Sequence, residues 1–302
     1  MDNRRYPRAS YITPCVTCLK ADGSVDLKAQ EKVYDHLIGG GMDGVLVLGS
    51  MGEFFTLTEA ERRETAEHAV SYIHGRMRVL IGTASMNTAE TLRLSRHALE
   101  KGADAVAVIS PWYLKLAPED LFRFYDGLAP QIPGKLMLYN YPDRTVHDID
   151  AGLALRLRRR HDNIIGLKDS ARSAEHTVDV VRTVQAEYPD FEVFCGYDNF
   201  MPDVIRAGGD GAIGGLSNIM PALLRDWVRA FRDGDEAAQQ ACAKRVDALM
   251  PIYNLDTVFI PNVKGAMAEA GVDIPTRVSF PLAECGAEKR KEIRKFLEKA
   301  KA

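Results

Sequence analysis

The sequence has no long apolar run; no stretch approaches the roughly 18 uninterrupted apolar residues that a membrane span requires. It has no large excess of charge either. The 39 Lys and Arg residues stand against 42 Asp and Glu, a net charge of −3 with no basic half, which excludes the electrostatic footprint of a nucleic-acid binder. An apolar fraction of 46% beside so small a net charge excludes disorder. Met1-Asp2-Asn3-Arg4-Arg5-Tyr6-Pro7 lacks the apolar core of a secretion signal, so a cytoplasmic protein is expected. Cysteines are few and scattered: Cys15, Cys18, Cys195, Cys242 and Cys285 read as reduced thiols. Cys15-x-x-Cys18 has no second ligand pair for zinc and does not open a helix after a strand, so both are expected to be packing residues.

What the sequence does have is a series of short apolar runs: Tyr11–Val16, Val45–Leu48, Val79–Ile81, Ala105–Ile109, Leu136–Tyr139, Ile164–Leu167, Phe191–Cys195 and Ala212–Ile213. Most are continuous rather than alternating, as strands covered on both faces are. Helical patterns such as Leu121-Phe122-x-Phe124-Tyr125-x-x-Leu128 and Ala69-Val70-x-x-Ile73 lie between them. Strand and helix alternating eight times predicts an α/β fold, a (β/α)8 TIM barrel. Gly41-Met42-Asp43-Gly44-Val45, Gly102-Ala103-Asp104-Ala105-Val106 and Gly209-Asp210-Gly211-Ala212-Ile213 share one grammar, a glycine able to end a helix left-handed and then a strand. Residues 1–215 are expected to form the barrel core, and 216–302 the closing barrel helix and a C-terminal helical extension. Helices are expected there over Pro221–Phe231, Glu236–Met250, Asn254–Ala270 and Glu288–Ala300. Gly39-x-Gly41-x-x-Gly44 precedes a strand instead of following one, so it does not read as a dinucleotide site. Arg156-x-Arg158-Arg159-Arg160 and Lys289–Lys301 read as solvated helix faces, and Trp227 and Phe231 as core or subunit-interface residues.

Barrel enzymes work at the C-terminal ends of their strands. Lys168 ends the run Ile164-Ile165-Gly166-Leu167, where a two-residue period puts Ile164, Gly166 and Lys168 on one face. If that face points inward, Gly166 leaves space beneath a poorly hydrated ammonium. A free lysine titrates near 10.4, so about one in 2,500 is neutral at pH 7; desolvation lowers that value and yields an amine able to attack a carbonyl. The same spacing also fits a lysine capping the strand in an ion pair with Asp169. Tyr139 ends another run, where a phenol can pass protons or simply be packed. Gly49 and Gly52 flank Ser50 and Met51, which suits either a backbone nest for a carboxylate or a plain strand-to-helix turn that Glu53 helps to fix.

Taken together, Gly49-Ser50-Met51-Gly52-Glu53, Tyr139-Asn140-x-Pro142, Asn163-Ile164-Ile165-Gly166-Leu167-Lys168-Asp169, Gly208-Gly209-Asp210-Gly211-Ala212-Ile213 and Pro261-x-x-Lys264-x-Ala266 resemble the dihydrodipicolinate synthase / N-acetylneuraminate lyase family, in order and spacing, from Tyr11 to about Pro281. The resemblance implies a TIM barrel, a homotetramer built as a dimer of dimers, and a Schiff-base lyase that acts on pyruvate and a small aldehyde without metal or cofactor. It implies that Lys168 forms the Schiff base, that Tyr139 shuttles protons and that Ser50 links that tyrosine into a relay. It further implies that Tyr113 enters the neighbouring subunit's site, that the backbone at Ser50 and Met51 holds the pyruvate carboxylate, and that Gly196 and Ile213 line the pyruvate pocket.

Arg144 matches the arginine with which dihydrodipicolinate synthases grip aspartate semialdehyde, which makes a 4-hydroxy-tetrahydrodipicolinate synthase the first reading. As a loop arginine it could instead pair with Asp143 or Asp148. Met51 stands where those synthases have a threonine and Val146 where they have a glycine. The stretch from Gly49 to Phe54, Tyr197-Asp198, and Leu255-Asp256-Thr257 are closer to 2-keto-3-deoxy sugar-acid aldolases, the alternative reading. Phe54, Phe55 and Glu59 lack the polar and histidine pattern of a lysine feedback site, so insensitivity to lysine is expected. A keto-acid dehydratase or deaminase would share Lys168 and Tyr139, and a non-catalytic keto-acid-binding regulatory barrel would need neither.

Overall fold

The computed structural model describes residues 5–301; Met1-Asp2-Asn3-Arg4, part of the segment read for a leader, lie outside the described residues. Among those described, eight parallel strands close into one barrel in sequence order: β1 (Ser10–Pro14), β2 (Gly44–Val47), β3 (Arg78–Gly82), β4 (Ala105–Ile109), β5 (Leu136–Asn140), β6 (Ile164–Asp169), β7 (Glu192–Cys195) and β8 (Gly211–Ile213). The fold is therefore the expected (β/α)8 barrel. The chain returns between strands through α1 (Leu27–Gly40), α2 (Glu59–Ile73), α3 (Thr88–Glu100), α4 (Pro118–Leu128), the short α5 (Pro142–Thr145), α6 (Ala151–Arg160), α7 (Ala174–Val184) and α8 (Met201–Arg206). Ile12, Leu46, Leu80, Ala105, Ala107, Met137, Phe194 and Ile213 fill the barrel interior, none more than 2% exposed. The opposite strand faces pack on the helices, and this double cover is why the runs are continuous.

Strand β6 departs from simple alternation. Its register with β5 shifts between Leu136 and Met137, so that Ile164 lies opposite Leu136 and Gly166 opposite Met137. Ile164 therefore packs with the outer cluster and Ile165 with the interior one, while Gly166 and Lys168 pair with inward residues of β5 and β7. The expected single face is thus corrected at its first member by a bulge. Gly166 does not leave room for the lysine either. A β-carbon there would lie 2.4 Å from the Glu192 carbonyl oxygen, so the glycine serves the close approach of β7. Among the repeated glycines, Gly41 (φ 78°) and Gly102 (φ 100°) are left-handed as expected, whereas in the third copy that conformation falls on Gly208 (φ 105°) rather than Gly209.

Beyond the barrel, α9 (Pro221–Asp233) packs on α1 and β1, and α10 (Glu236–Leu249), α11 (Ile260–Glu269) and α12 (Ala287–Lys301) form a helical layer. The helix expected over Asn254–Ala270 is corrected: residues 255–259 are irregular and α11 starts at Ile260. Pro261 occupies its first turn, where a missing N–H is tolerated. Arg156, Arg159 and Arg160 pair on the surface with Glu119, Glu187 and Asp126. Arg158 is instead buried, paired with Asp162 and Asp190 at 3.2 Å each and stacked on Tyr188. Trp227 and Phe231 are core residues. Cys15, Cys18, Cys195, Cys242 and Cys285 are all free and buried, and burial pushes the Cys18 thiol up to about 12, far from a reactive thiolate. No described helix is long and apolar enough to cross a membrane.

One buried ion pair ties the helical layer to the loop after β2. Lys264 of α11 and Glu53 are both fully buried and meet at 2.5 Å. The second Glu53 oxygen accepts from the Ser279 N–H at 2.7 Å, and the Lys264 ammonium also donates to the Arg277 carbonyl at 2.6 Å. Glu53 thus fixes the turn that carries Ser50, as expected, from beneath. Removing one member strands a buried charge at a cost of about 3 kcal/mol. Glu53→Gln should therefore lower the urea unfolding midpoint markedly; an unchanged midpoint would contradict this role.

Candidate functional site

The strand ends open into a cavity of about 370 Å³. Ser50, Met51, Tyr139, Arg144, Lys168, Gly196 and Ile213 all line it. Tyr113 does not: it is 89% exposed on the loop after β4, with a left-handed φ of 75°, away from the others.

Lys168 ends the inward face of β6 and is only 4% exposed. Its ammonium sits 4.1 Å from the centroid of the Tyr139 ring. Burial lowers its pKa from the ordinary 10.5 to about 7, with the Asp198 carboxylate pulling partly back. About half of the amine is then neutral near pH 7. The competing idea of an ion pair with Asp169 does not hold, because Asp169 points outward and its oxygens are taken by Asn140, Thr177, His176 and the Ala171 N–H.

Tyr139 is 4% exposed, and its hydroxyl lies 3.2 Å from the Ser50 hydroxyl. Burial pushes its pKa up to about 12, moderated by hydrogen bonding to Ser50 and Ser170 and by Arg144. At rest it is a phenol, a proton donor. Ser50 and Met51 begin a tight turn, Ser50–Gly52, directly after β2. The residues beside this turn in left-handed conformations are Leu48 (φ 58°) and Glu53 (φ 56°), not the glycines. Such strain in residues with side chains persists where the surroundings impose it, here the Glu53–Lys264 pair.

Arg144 stands exposed at the rim, its guanidinium 5.9 Å over the Tyr141 ring. Asp143 pairs with Arg172 and Asp148 with His176, so neither takes Arg144; among the described residues no carboxylate pairs with it. Gly196 and Ile213 line the cavity from the ends of the neighbouring strands β7 and β8, and a β-carbon at Gly196 would lie 2.1 Å from the Ser170 hydroxyl.

Tyr253 and Asn254 line the cavity without any signal for it in the sequence, whereas Tyr197, Asp256 and Thr257 lie in the stretches that pointed to sugar acids; Asp198, next to Tyr197, is not among the lining residues. Asp198 is fully buried and accepts hydrogen bonds from the Tyr11 hydroxyl, from the Tyr253 hydroxyl at 2.7 Å and from the Leu216 N–H at 3.0 Å. Burial raises its pKa. Asn254, Asp256 and Thr257 reach the cavity from the irregular segment before α11, and Asp256 is tied to Lys289 of α12. Pro261 was the signal that this segment is not helical. A second, largely apolar hollow of about 410 Å³ shares Ser50, Tyr141, Arg144 and Phe259 with the first and includes Phe54 and Trp112. Among the described residues no group of three or more His, Cys, Asp or Glu side chains could hold a metal.

Comparison with known proteins agrees with this geometry. Residues 8–300 match the model of the Dihydrodipicolinate synthetase family. The chain is 37% identical over 286 residues to "Probable 2-dehydro-3-deoxy-D-pentonate aldolase YjhH" of Escherichia coli (strain K12), covering 95% of each. It is 33% identical to the 4-hydroxy-tetrahydrodipicolinate synthase of Kosmotoga olearia, over 91% of this chain and 92% of that one. The crystal structure of YagE from E. coli K12, a prophage protein of the dihydrodipicolinic acid synthase family in complex with pyruvate, superposes with a TM-score of 0.94 at 34% identity, over 97% of this chain and 98% of YagE. The chain belongs to the dihydrodipicolinate synthetase family and is an enzyme of the class I lyase and aldolase type.

Proposed function

We propose that this enzyme is a Schiff-base aldolase that interconverts a 2-keto-3-deoxy sugar acid with pyruvate and a hydroxyaldehyde. The observation that carries the reading is the Lys168 amine, buried, brought to about 7 and set against the Tyr139 ring. In the cleavage direction the amine attacks the C2 carbonyl, and the Tyr139 phenol protonates the departing hydroxyl so that water leaves. The phenolate then sits beside the protonated imine, whose positive charge favours it. It takes the proton of the C4 hydroxyl, the C3–C4 bond breaks, and the electron pair moves into the imine to give an enamine and free aldehyde. Protonation at C3 and hydrolysis release pyruvate and restore the amine. Ser50 relays protons from Tyr139, the backbone at Ser50 and Met51 holds the keto-acid carboxylate, and Gly196 and Ile213 bound the pyruvate end.

The choice of substrate moves from the synthase to the catabolic alternative for two reasons. YjhH and YagE both carry names of 2-dehydro-3-deoxy sugar-acid aldolases, at 37% and 35% identity, against 33% for the synthase named above. The rim also offers Tyr197, Asn254 and Thr257, neutral partners for a hydroxylated chain. A second reading, condensation with aspartate semialdehyde, keeps one observation in its favour, the unpaired Arg144 at the rim. A regulatory barrel that only bound a keto acid would have no use for a desolvated amine beside a phenol. The assembly proposed is a homotetramer in which the exposed Tyr113 enters a neighbour's site; the apolar hollow beside Ser50 and Arg144 suits such an insertion.

Borohydride reduction in the presence of pyruvate should add one reduced pyruvyl group, mapped to Lys168, and Lys168→Met should take up none; labelling elsewhere would overturn the mechanism. Assays of Arg144→Ala over a panel of aldehydes should leave condensation with hydroxyaldehydes largely intact. A wild-type activity confined to aspartate semialdehyde and lost in Arg144→Ala would instead establish the second reading.

A further inference from the structure

The outer wall behind Lys168 and Tyr139 carries a closed polar ring that the reaction as described does not use. Tyr139 and Lys168 are register partners, and so are the next residues, Asn140 and Asp169, which point outward. The Asn140 amide donates to Asp169 Oδ1 at 2.9 Å and to Asp148 Oδ1 at 2.6 Å, and its oxygen accepts from the Ile149 N–H at 3.0 Å. His176, in the first turn of α7, closes the circuit. Its Nδ1 meets Asp169 Oδ2 at 2.8 Å and its Nε2 meets Asp148 Oδ2 at 2.9 Å. With a carboxylate on each ring nitrogen, both nitrogens are donors and the group is an imidazolium. The two carboxylates hold its pKa up at about 10. The charged groups facing it are Asp169 of β6 and Asp148 of the loop before α6; Asn140 of β5 and Thr177 of α7 are the neutral members.

We infer that His176 is a positioning residue: by bridging Asp148 and Asp169 it locks the ends of β5 and β6 in the register that sets Tyr139 against Lys168, and it limits the negative charge standing behind that lysine. The ring carries two carboxylates and one imidazolium, a net charge of −1. Removing the imidazolium doubles that charge, which favours the Lys168 ammonium; neutralising Asp148 cancels it, which favours the free amine. Opposite substitutions therefore shift the amine in opposite directions. A purely structural ring would show no such antisymmetry. The groups nearest the amine itself, Asp198 and Tyr139, are untouched in both variants.

The inference rests on the reading of Lys168 as the Schiff-base amine, and the test separates the two. The rate of borohydride trapping with pyruvate is measured against pH for the full-length wild type, His176→Gln and Asp148→Asn. The midpoint should rise in His176→Gln and fall in Asp148→Asn, each by about 0.5 to 1 unit. In His176→Gln, kcat should drop more than KM for pyruvate rises. Wild-type enzyme unlabelled at Lys168 defeats the mechanism, whatever the variants do. Labelled wild type with both midpoints unmoved, or moved in the same direction, defeats the role of His176 alone. Should His176→Gln fail to fold, Asp148→Asn, at a half-exposed carboxylate, decides by itself: a downward shift supports the ring and an unmoved midpoint overturns it.

Discussion

An ammonium ion kept from water is the constraint on which the barrel mouth depends. Lys168 is nearly inaccessible, faces an aromatic ring and has one carboxylate, Asp198, drawing it back toward the charged form. That carboxylate is itself occupied. Two phenols, Tyr11 and Tyr253, and one backbone N–H donate to it, so its charge is spread over three hydrogen bonds instead of being spent on the lysine. The site thus holds a carboxylate whose charge is felt by the amine while desolvation still governs its titration. A surface lysine with a free carboxylate neighbour would be the reverse case, charged and inert.

The barrel supplies the rest by geometry. Parallel strands closed in sequence order bring Ser50, Tyr139, Lys168, Gly196 and Ile213 to one rim although they are spread over much of the chain. Two polar constructions outside the cavity hold that rim. The Glu53–Lys264 pair anchors the strained turn that presents Ser50, and the Asn140–Asp169–His176–Asp148 ring ties together the strands that bear the phenol and the amine. Both are buried or half-buried, and each joins separate elements of the fold.

The strands were legible because doubly covered strands write themselves as continuous apolar runs, and Lys168 and Tyr139 were legible because each interrupts such a run at its C-terminal end. What alternation could not show was the bulge in β6, which sends Ile164 outward and Ile165 inward, since a register shift depends on the neighbouring strand. The Asp198 cluster was illegible for a similar reason: Tyr11 lies 187 residues away from it and Tyr253 another 55 beyond. Arg158 reads like its basic neighbours, yet its place on α6 turns it into the Asp190 and Tyr188 contacts. The helix expected over Asn254–Ala270 starts only at Ile260, where Pro261 fits the first turn, and the irregular residues 255–259 before it supply the polar edge on which the substrate reading leans. Tyr113 is exposed outside the cavity, and the role proposed for it needs a second copy of the chain, which no pattern within one chain can test.

Schiff-base formation, proton transfer and the effect inferred for the outer ring all turn on the state of one side chain, so titrating that side chain is the most direct test. The Lys168 amine can be followed by NMR in the ligand-free enzyme after selective isotopic labelling of lysine, with Lys168→Met assigning the signal. A midpoint near 7 is the result this account predicts; a midpoint near the ordinary 10.5 would contradict it.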